Sequence, residues 1–223
     1  MRFFAFIAIV VVFAGGNALA QTENPPVSPT TNEVPAPTKE ADGKTWSAYA
    51  SVYTYIVPDS QNFVQPTIMA DRGWLHLEAR YNYENLRTGS VWFGYNFSAG
   101  DKLALEFTPM IGGVVGDTAG VAPGYRALLS YWKLKLATEG EYVFDTRDSA
   151  ASFFYNWSEL SISPVDWFRV GPAIQRTKLY QSGFDVQRGL LVGFAYKSVD
   201  FTTYVFNPDA SRPTVVLAVG VSF

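Results

Sequence analysis

His76, within the stretch WLHLEAR (Trp74–Arg80), is the side chain best suited to acid–base or nucleophilic chemistry, and it is the chain's single histidine. A serine hydrolase would pair this ring with a serine hydroxyl and a third group that orients it. No serine is near it in sequence, although a neighbouring strand could supply one. A zinc site is less favoured still, because the chain has no cysteine to complete a ligand set. We therefore expect His76 to be a hydrogen-bonded polar residue, with no metal, cofactor or catalytic residue in the chain.

Charged side chains elsewhere alternate with apolar ones, which gathers them on one face of an extended strand. Paired carboxylates can perform glycosidase chemistry, but nothing in the sequence indicates a substrate cleft. Opposite charges inside a closed sheet more often form ion pairs that satisfy buried groups, and in a channel they set ion selectivity. The expected pore-lining set is Glu78, Arg80, Glu106, Arg126, Lys135, Glu139, Glu141, Arg169 and Arg188, the last near the outer rim, with Glu159 as a further inward carboxylate.

The amino-terminal segment has the layout of an export signal. Residues 1–20 carry Arg2, an apolar run and the small-residue pattern Ala18-Leu19-Ala20. This pattern predicts a cleaved signal peptide, because the apolar run is shorter than the ~20 residues of a membrane-spanning helix. Residues 21–44, rich in Pro and Thr, predict a disordered periplasmic linker. The folded part is then residues 45–223.

The composition is unusually apolar for an exported chain. Hydrophobic residues make up 48% and charged residues 17%, whereas ordinary globular chains carry about 25% charged residues. Such a chain must bury its apolar surface in a packed interior or in a bilayer. The net charge of −3 gives no sign of a nucleic-acid partner, and the absence of cysteine excludes disulfides.

Short alternating segments separated by turn residues follow residue 45, and none of useful length has helical periodicity. A strand that crosses a membrane needs about 9–11 residues, and these segments suit an antiparallel meander with alternately tight and longer connections. The twelve segments are Trp46–Val57, Asn62–Ala70, Trp74–Glu84, Ser90–Ser98, Lys102–Val115, Val121–Trp132, Leu134–Asp145, Ala151–Ser163, Phe168–Tyr180, Asp185–Lys197, Phe201–Asn207 and Pro213–Phe223.

The alternation assigns an outward, lipid-facing side to most segments. In the third segment Leu75, Leu77, Ala79, Tyr81 and Tyr83 face out, and His76, Glu78, Arg80, Asn82 and Glu84 face in. In the tenth, Leu190, Val192, Phe194 and Tyr196 face out, and Gln187, Gly189, Gly193 and Lys197 face in. Tryptophans favour the headgroup level, which predicts one belt at Trp46, Trp74, Trp132 and Trp167 and an opposite one at Trp92, and leaves Trp157 unexplained.

The last segment, TVVLAVGVSF, places Val215, Leu217, Val219, Val221 and Phe223 on one apolar face. A final strand of this kind closes the sheet by pairing with the first, which leaves no unpaired edge in the bilayer. The phenylalanine end resembles the signal by which bacterial outer-membrane barrels are recognised for insertion. The resemblance implies a closed, antiparallel, up-and-down transmembrane β-barrel of about 12 strands, located in the outer membrane of a Gram-negative cell. It also implies that the barrel-insertion machinery is a partner through the strand that ends at Phe223.

Four prolines oppose this fold, because Pro66, Pro109, Pro123 and Pro172 each remove a ladder hydrogen bond inside a predicted strand. Bulges or rim positions could accommodate them. The eighth segment is also ambiguous, since Asn156 and Ser158 share the face of Leu160 and Ile162. The alternative fold is a secreted, soluble β-sandwich.

The strand count predicts a narrow or partly plugged lumen, because eight strands are filled by side chains and 16–18 leave an aqueous channel. The expected function is therefore passive, porin-like passage of small polar or ionic solutes. One alternative is a non-conducting structural or adhesive barrel whose Pro-rich arm reaches a periplasmic partner. Another is an outer-membrane lipid hydrolase that uses His76, since outer-membrane phospholipases and lipid A deacylases resemble one another in their use of a serine–histidine pair.

The expected surroundings are outer-membrane lipid and lipopolysaccharide. Aspartates in the predicted outer loops could bridge lipopolysaccharide through divalent cations, although solvated loop tips are the simpler interpretation. They are Asp59, Asp117, Asp145, Asp148 and Asp209.

Overall fold

The computed structural model describes residues 45–58, 60–179 and 185–223. The predicted signal peptide and linker, residues 1–44, and Asp59 are outside the described residues. The strands are β1 Ser47–Ile56, β2 Phe63–Arg72, β3 Leu75–Tyr81, β4 Thr88–Tyr95, β5 Phe97–Ala99, β6 Leu103–Gly116, β7 Gly120–Tyr131, β8 Leu134–Asp145, β9 Phe153–Val165, β10 Phe168–Leu179, β11 Asp185–Tyr196, β12 Val199–Phe206 and β13 Thr214–Ser222. A short 3₁₀ turn, Ser149–Ala151, precedes β9.

These segments form one closed antiparallel barrel of twelve strands. Each strand pairs with its neighbours along the chain, and β4 and β5 both pair with β6 as two parts of one strand interrupted at Asn96. Closure comes from β13, which pairs with β1 from Tyr49↔Ser222 to Ile56↔Val215. Two further backbone bonds join Ala48 and Phe223. The predicted strand count and terminal pairing are confirmed.

The barrel has an apolar outer surface because alternate side chains leave the pleat on opposite sides. Exposed Leu77, Phe93 and Ile111 are examples of an outward set that continues around the strands, and the β13 residues Leu217 and Val219 belong to it as predicted. Among the described residues, no helix is long and apolar enough to cross a membrane.

The predicted facing is wrong at two strand ends. Tyr83 turns inward, because β3 ends at Tyr81 and Asn82 adopts a left-handed φ of 57°, which breaks the alternation. Lys197 lies in the tight turn between β11 and β12 with a φ of 56°, and its ammonium is 5.4 Å from the ring centroid of Tyr196.

The tryptophan belt is confirmed at one end only. Trp46, Trp74, Trp132 and Trp167 are exposed at the end that carries the termini and the tight turns. Trp92 does not belong to an outer belt, because it is 3% exposed and shares the inward face of β4 with Ser90. Trp157 also points inward, where its indole N–H donates to Glu159 at 2.7 Å.

The strands accommodate the prolines by local interruption of a ladder. The pairing of β7 with β8 skips Ala122 and Pro123, and that of β9 with β10 skips Pro172. Pro66 and Pro109 keep regular partners in Val52 and Tyr125. Each proline therefore interrupts at most two consecutive ladder positions and does not open the sheet.

Asn156 and Ser158 do face outward with Leu160. The register between β9 and β10 shifts only between Phe168 and Val170, nearer the tight turn, so it does not change this facing. The Asn156 amide donates to the Tyr125 hydroxyl at 3.1 Å and to the Glu139 carbonyl at 2.8 Å. The polar groups on this outward face thus satisfy one another within the barrel wall.

Candidate functional site

The barrel interior is largely filled with side chains. Its apolar part is a cluster that includes Trp92, Val114, Ala122, Leu191 and Phe206, all buried. A twelve-stranded barrel is wide enough for a channel only if its inward residues are small, and here many are large. The remaining space described below lies in small cavities between these side chains.

A dense ion-pair network occupies the inward faces of β3, β7 and β8. Arg80 donates from Nε to Glu78 Oε1 at 2.7 Å and from Nη1 to Glu141 Oε2 at 2.8 Å. Arg126 lies 3.7 Å from Glu78 Oε2 and 3.7 Å from Glu139 Oε2. Three carboxylates and two guanidiniums thus share one buried cluster, and each charge has a partner of opposite sign.

Aromatic rings enclose the Arg80 guanidinium on two sides. Its central carbon lies 4.2 Å from the ring centroid of Tyr83 and 4.5 Å from that of Trp92. The Tyr83 hydroxyl in turn donates to Glu139. Cation–π contacts of this kind hold a buried cation in place, and here they also fix the position of the Tyr83 ring.

A second buried cluster lies on the inward faces of β9, β10 and β12, beginning on the strand next to β8. Arg169 donates to Glu159 Oε2 at 2.8 Å and to Thr202 Oγ1 at 2.9 Å. The hydroxyl of Tyr204 donates to Glu159 Oε1 at 2.7 Å. Glu159 therefore receives hydrogen bonds from three different side chains, since Trp157 also reaches it.

His76 sits at the edge of the first network and is engaged on both ring nitrogens. Nδ1 lies 2.8 Å from Asp71 Oδ1 and Nε2 lies 3.3 Å from Glu78 Oε2. Asn96 and Thr108 extend this chain of hydrogen bonds, because Asn96 donates to Asp71 at 2.7 Å and Thr108 to Asn96 at 2.7 Å. With both nitrogens occupied by carboxylates, the ring lacks the free nitrogen that a serine nucleophile requires.

Most of the residues predicted to line a pore do point into the barrel, but they are not gathered into one lining. Glu78, Arg80, Arg126, Glu139 and Glu141 form the first network, and Arg169 belongs to the second. Glu106 and Lys135 are half-buried nearer the end that carries the termini. Arg188 is a correction: it is exposed and alternates with inward Gly189, so its side chain lies on the outer face with Leu190.

Two cavities lie between the inward faces of β1 and β2 and that of β9, which stands on the opposite side of the barrel. One, which we call the outer vestibule, has a volume of about 200 Å³ and lies at the end with the longer loops; it is lined by Tyr55, Phe63, Gln65, Asn82, Tyr83, Glu84, Asn85, Leu86, Phe153, Tyr155 and Gln175. The other, the inner cavity, has a volume of about 30 Å³ and is lined by Tyr49, Ser51, Tyr53, Tyr55, Gln65, Thr67, Met69, Glu78, Tyr83, Glu139, Tyr155 and Trp157.

Four residues, Tyr55, Gln65, Tyr83 and Tyr155, line both cavities and therefore stand between them. The rings of Tyr83 and Tyr155 meet edge to face with centroids 5.4 Å apart. The inner cavity has room for about one or two water molecules. The boundary between the two cavities is thus walled by tyrosine rings next to the ion-pair network.

The tyrosines that line the inner cavity are the part of the site that the charge pattern did not predict. Their signal is nevertheless present in SAYASVYTYI, where Tyr49, Ser51, Tyr53 and Tyr55 alternate and so share the inward face of β1. Within the described residues no group of three or more His, Cys or carboxylate side chains is arranged to hold a metal ion.

Comparison with protein-family models and with curated proteins gives no match. Among solved structures, two of the KdgM porin, one in complex with disordered oligogalacturonate, superpose with a TM-score of 0.53 each. Their identities to this chain are 12% and 10%, and the matches cover 79% and 78% of this chain and 98% of each porin chain. The Acinetobacter baumannii outer membrane protein Omp33 matches less well, with a TM-score of 0.44 at 11% identity over 80% of this chain and 96% of that chain. At 12% and 10% identity the likeness to the KdgM porin shows a shared fold, the closed barrel of an outer-membrane porin.

Proposed function

We propose that the chain is an outer-membrane pore for passive passage of small polar or ionic solutes, with a narrow, tyrosine-walled constriction. The observation that carries the proposal is the pair of adjoining cavities inside the barrel, which share four wall residues. A barrel that served only as a structural support would gain stability by filling this space. The apolar outer surface supports a location in the membrane.

The charges beside the constriction give this route its chemistry. Glu78 and Glu139 line the inner cavity, and Arg80 and Arg126 lie directly behind them. Rings of charged groups beside a narrow passage select ions by sign and strength of the local field. With both signs present, the constriction admits small polar solutes more readily than large anions or cations.

Tyr83 is the residue that controls this passage in the proposal. Its ring separates the two cavities and is held by Arg80 and by its hydrogen bond to Glu139. Replacement by alanine joins the cavities, so Tyr83→Ala is expected to raise single-channel conductance several-fold over the unmodified barrel. Tyr81→Ala is the matched control, because Tyr81 is an exposed tyrosine on the outward face of the same strand.

The measurement is ionic current across a planar bilayer that contains refolded residues 21–223. Insertion is verified independently by heat-modifiable mobility, so that a silent protein is known to be folded. Silence from both the unmodified barrel and Tyr83→Ala would sink the pore proposal. An equal rise in the conductance of Tyr83→Ala and Tyr81→Ala would show that Tyr83 does not control the passage.

A further inference from the structure

We propose that the outer vestibule is a binding site for a monosaccharide-sized polyol, and that it prefers an amino sugar to a neutral sugar and a neutral sugar to a sugar acid. The binding itself does not depend on conduction, and the proposal rests on the proposed function only for the onward passage of the bound solute. It follows from the walls of the vestibule, its unpaired polar atoms and its charge.

The walls offer flat aromatic surfaces. Tyr55 and Phe63 stack nearly parallel, with centroids 4.6 Å apart and an angle of 7° between the rings. Phe153, Tyr155 and Tyr83 complete the aromatic lining. Aromatic faces pack against the C–H face of a sugar ring and attract cations through their quadrupole. A volume of about 200 Å³ is smaller than that of a typical drug-sized pocket, so the ligand is a single small solute.

The polar atoms left over in the vestibule are hydrogen-bond acceptors. Glu84 is 8% exposed, and its Oε1 accepts from Ser90 at 2.5 Å while its buried Oε2 has no partner. The buried Oε1 of Gln175 also has no partner. Buried polar groups are normally satisfied, and a ligand that supplies O–H or N–H donors would satisfy both oxygens.

Three of the four amide side chains in the same walls already donate hydrogen bonds. Gln65 donates to the carbonyls of Asn82 and Tyr83 at 3.0 and 3.4 Å. Asn82 donates to the Val64 carbonyl at 3.0 Å, and Asn85 donates to Thr118 Oγ1 at 3.1 Å. A carboxylate ligand would offer Glu84 Oε2 and Gln175 Oε1 only further acceptors, which leaves both oxygens unsatisfied.

The charge of the vestibule also disfavours a carboxylate ligand. Among the described residues that line it, Glu84 is the one with a formal charge, and no Lys, Arg or His is present. The cations of the first network are turned toward their own carboxylates, with Arg80 between Glu78 and Glu141. An ammonium group beside Glu84 Oε2 would gain a charge-assisted hydrogen bond, whereas an acid would meet a like charge.

The test compares three sugars with one ring and different charge: protonated glucosamine, glucose and glucuronate. Binding to the refolded chain in detergent micelles is measured by calorimetry and by saturation-transfer NMR, neither of which requires a conducting pore. Glucosamine is expected to bind most tightly and glucuronate most weakly. Glu84→Gln is expected to weaken glucosamine binding about tenfold, which corresponds to the loss of one hydrogen bond to a charged group, and to change glucose binding less than about twofold.

Asp209→Asn is the matched control, because it removes an exposed carboxylate from an outer loop that does not line the vestibule. It should leave all three affinities unchanged. Glucuronate binding as tight as glucosamine binding, no binding of any sugar by folded protein, or a glucosamine affinity indifferent to Glu84→Gln would each overturn the proposal. Sugar binding without conductance would leave this site standing and remove the pore, and conductance without sugar binding would do the reverse.

Discussion

At the scale of single residues, glycines decide which large side chains fit inside the barrel. Gly112 of β6 lies opposite Trp92 of β4, and a Cβ at that position would lie 2.5 Å from the indole ring. Gly193 similarly leaves room for Arg169, whose Cγ would lie 2.8 Å from an added Cβ. The adjacent Gly113 points the other way and meets nothing within 4 Å. Inward glycines thus permit the packing of Trp92 and Arg169, and Gly113 does not take part in it.

Gly112→Ala is expected to lower the free energy of unfolding by about 1–3 kcal/mol, because the added methyl group displaces the Trp92 ring from its packed position. Gly113→Ala is expected to leave it unchanged or slightly raised, since alanine restricts the unfolded chain. Urea unfolding in phospholipid vesicles, followed by tryptophan fluorescence, measures both variants. The close contact at Gly112 would be disproved by equal stability of the two.

The outcome at particular side chains shows how much the sequence could predict. Alternation is local information, and it correctly predicted that Glu78, Arg80 and Glu141 face inward. The prediction that Arg188 lines the interior rested on its charge. Alternation along its own strand places Arg188 on the outward face, which is where the structure has it. The inward turn of Tyr83 depends on the left-handed conformation of Asn82, and the burial of Trp92 depends on glycines of neighbouring strands. Neither feature is visible in the pattern of a single segment.

At the scale of elements, β13 closes the barrel and is followed by an exposed phenylalanine. Closure uses backbone bonds, which include the Phe223 N–H to the Ala48 carbonyl at 2.8 Å. The Phe223 side chain is exposed and takes no part in those bonds. We propose that the exposed ring is what the barrel-insertion machinery recognises, so that folding and recognition depend on different atoms of one residue.

Phe223→Ala is therefore expected to refold in detergent with the heat-modifiable mobility of the unmodified chain, because alanine keeps the same backbone bonds. In cells the same variant should accumulate in the outer membrane several-fold less. Val215→Ala is the matched control, since it shortens an outward side chain of β13 at the opposite end of the strand. Normal cellular assembly of Phe223→Ala would exclude the ring as a recognition feature.

At the scale of the whole molecule, the outer surface is apolar along the height of the wall. On β6 alone, Leu103, Phe107, Ile111 and Val115 are all exposed on the outward face. Water would disfavour such a continuous apolar surface, whereas a bilayer solvates it and requires a closed sheet with no free edge. The closure of β1 on β13 and this outer surface are two parts of one adaptation to lipid.

Substitutions at Ile111 and Leu103 can measure how the cost of an outward charge depends on its depth in the bilayer. The two residues lie on the same face of β6 and are equally exposed, at 55% and 53%, but Leu103 begins the strand and Ile111 lies well inside it. Ile111→Arg is expected to lower the free energy of unfolding in phospholipid bilayers by about 2–4 kcal/mol, and Leu103→Arg by about 0–1 kcal/mol. In a surface exposed to water, the two substitutions would have similar small effects, because exposure alone would set them. Reversible urea unfolding in vesicles separates these outcomes, and equal values would contradict a membrane-spanning barrel while leaving its closed topology intact.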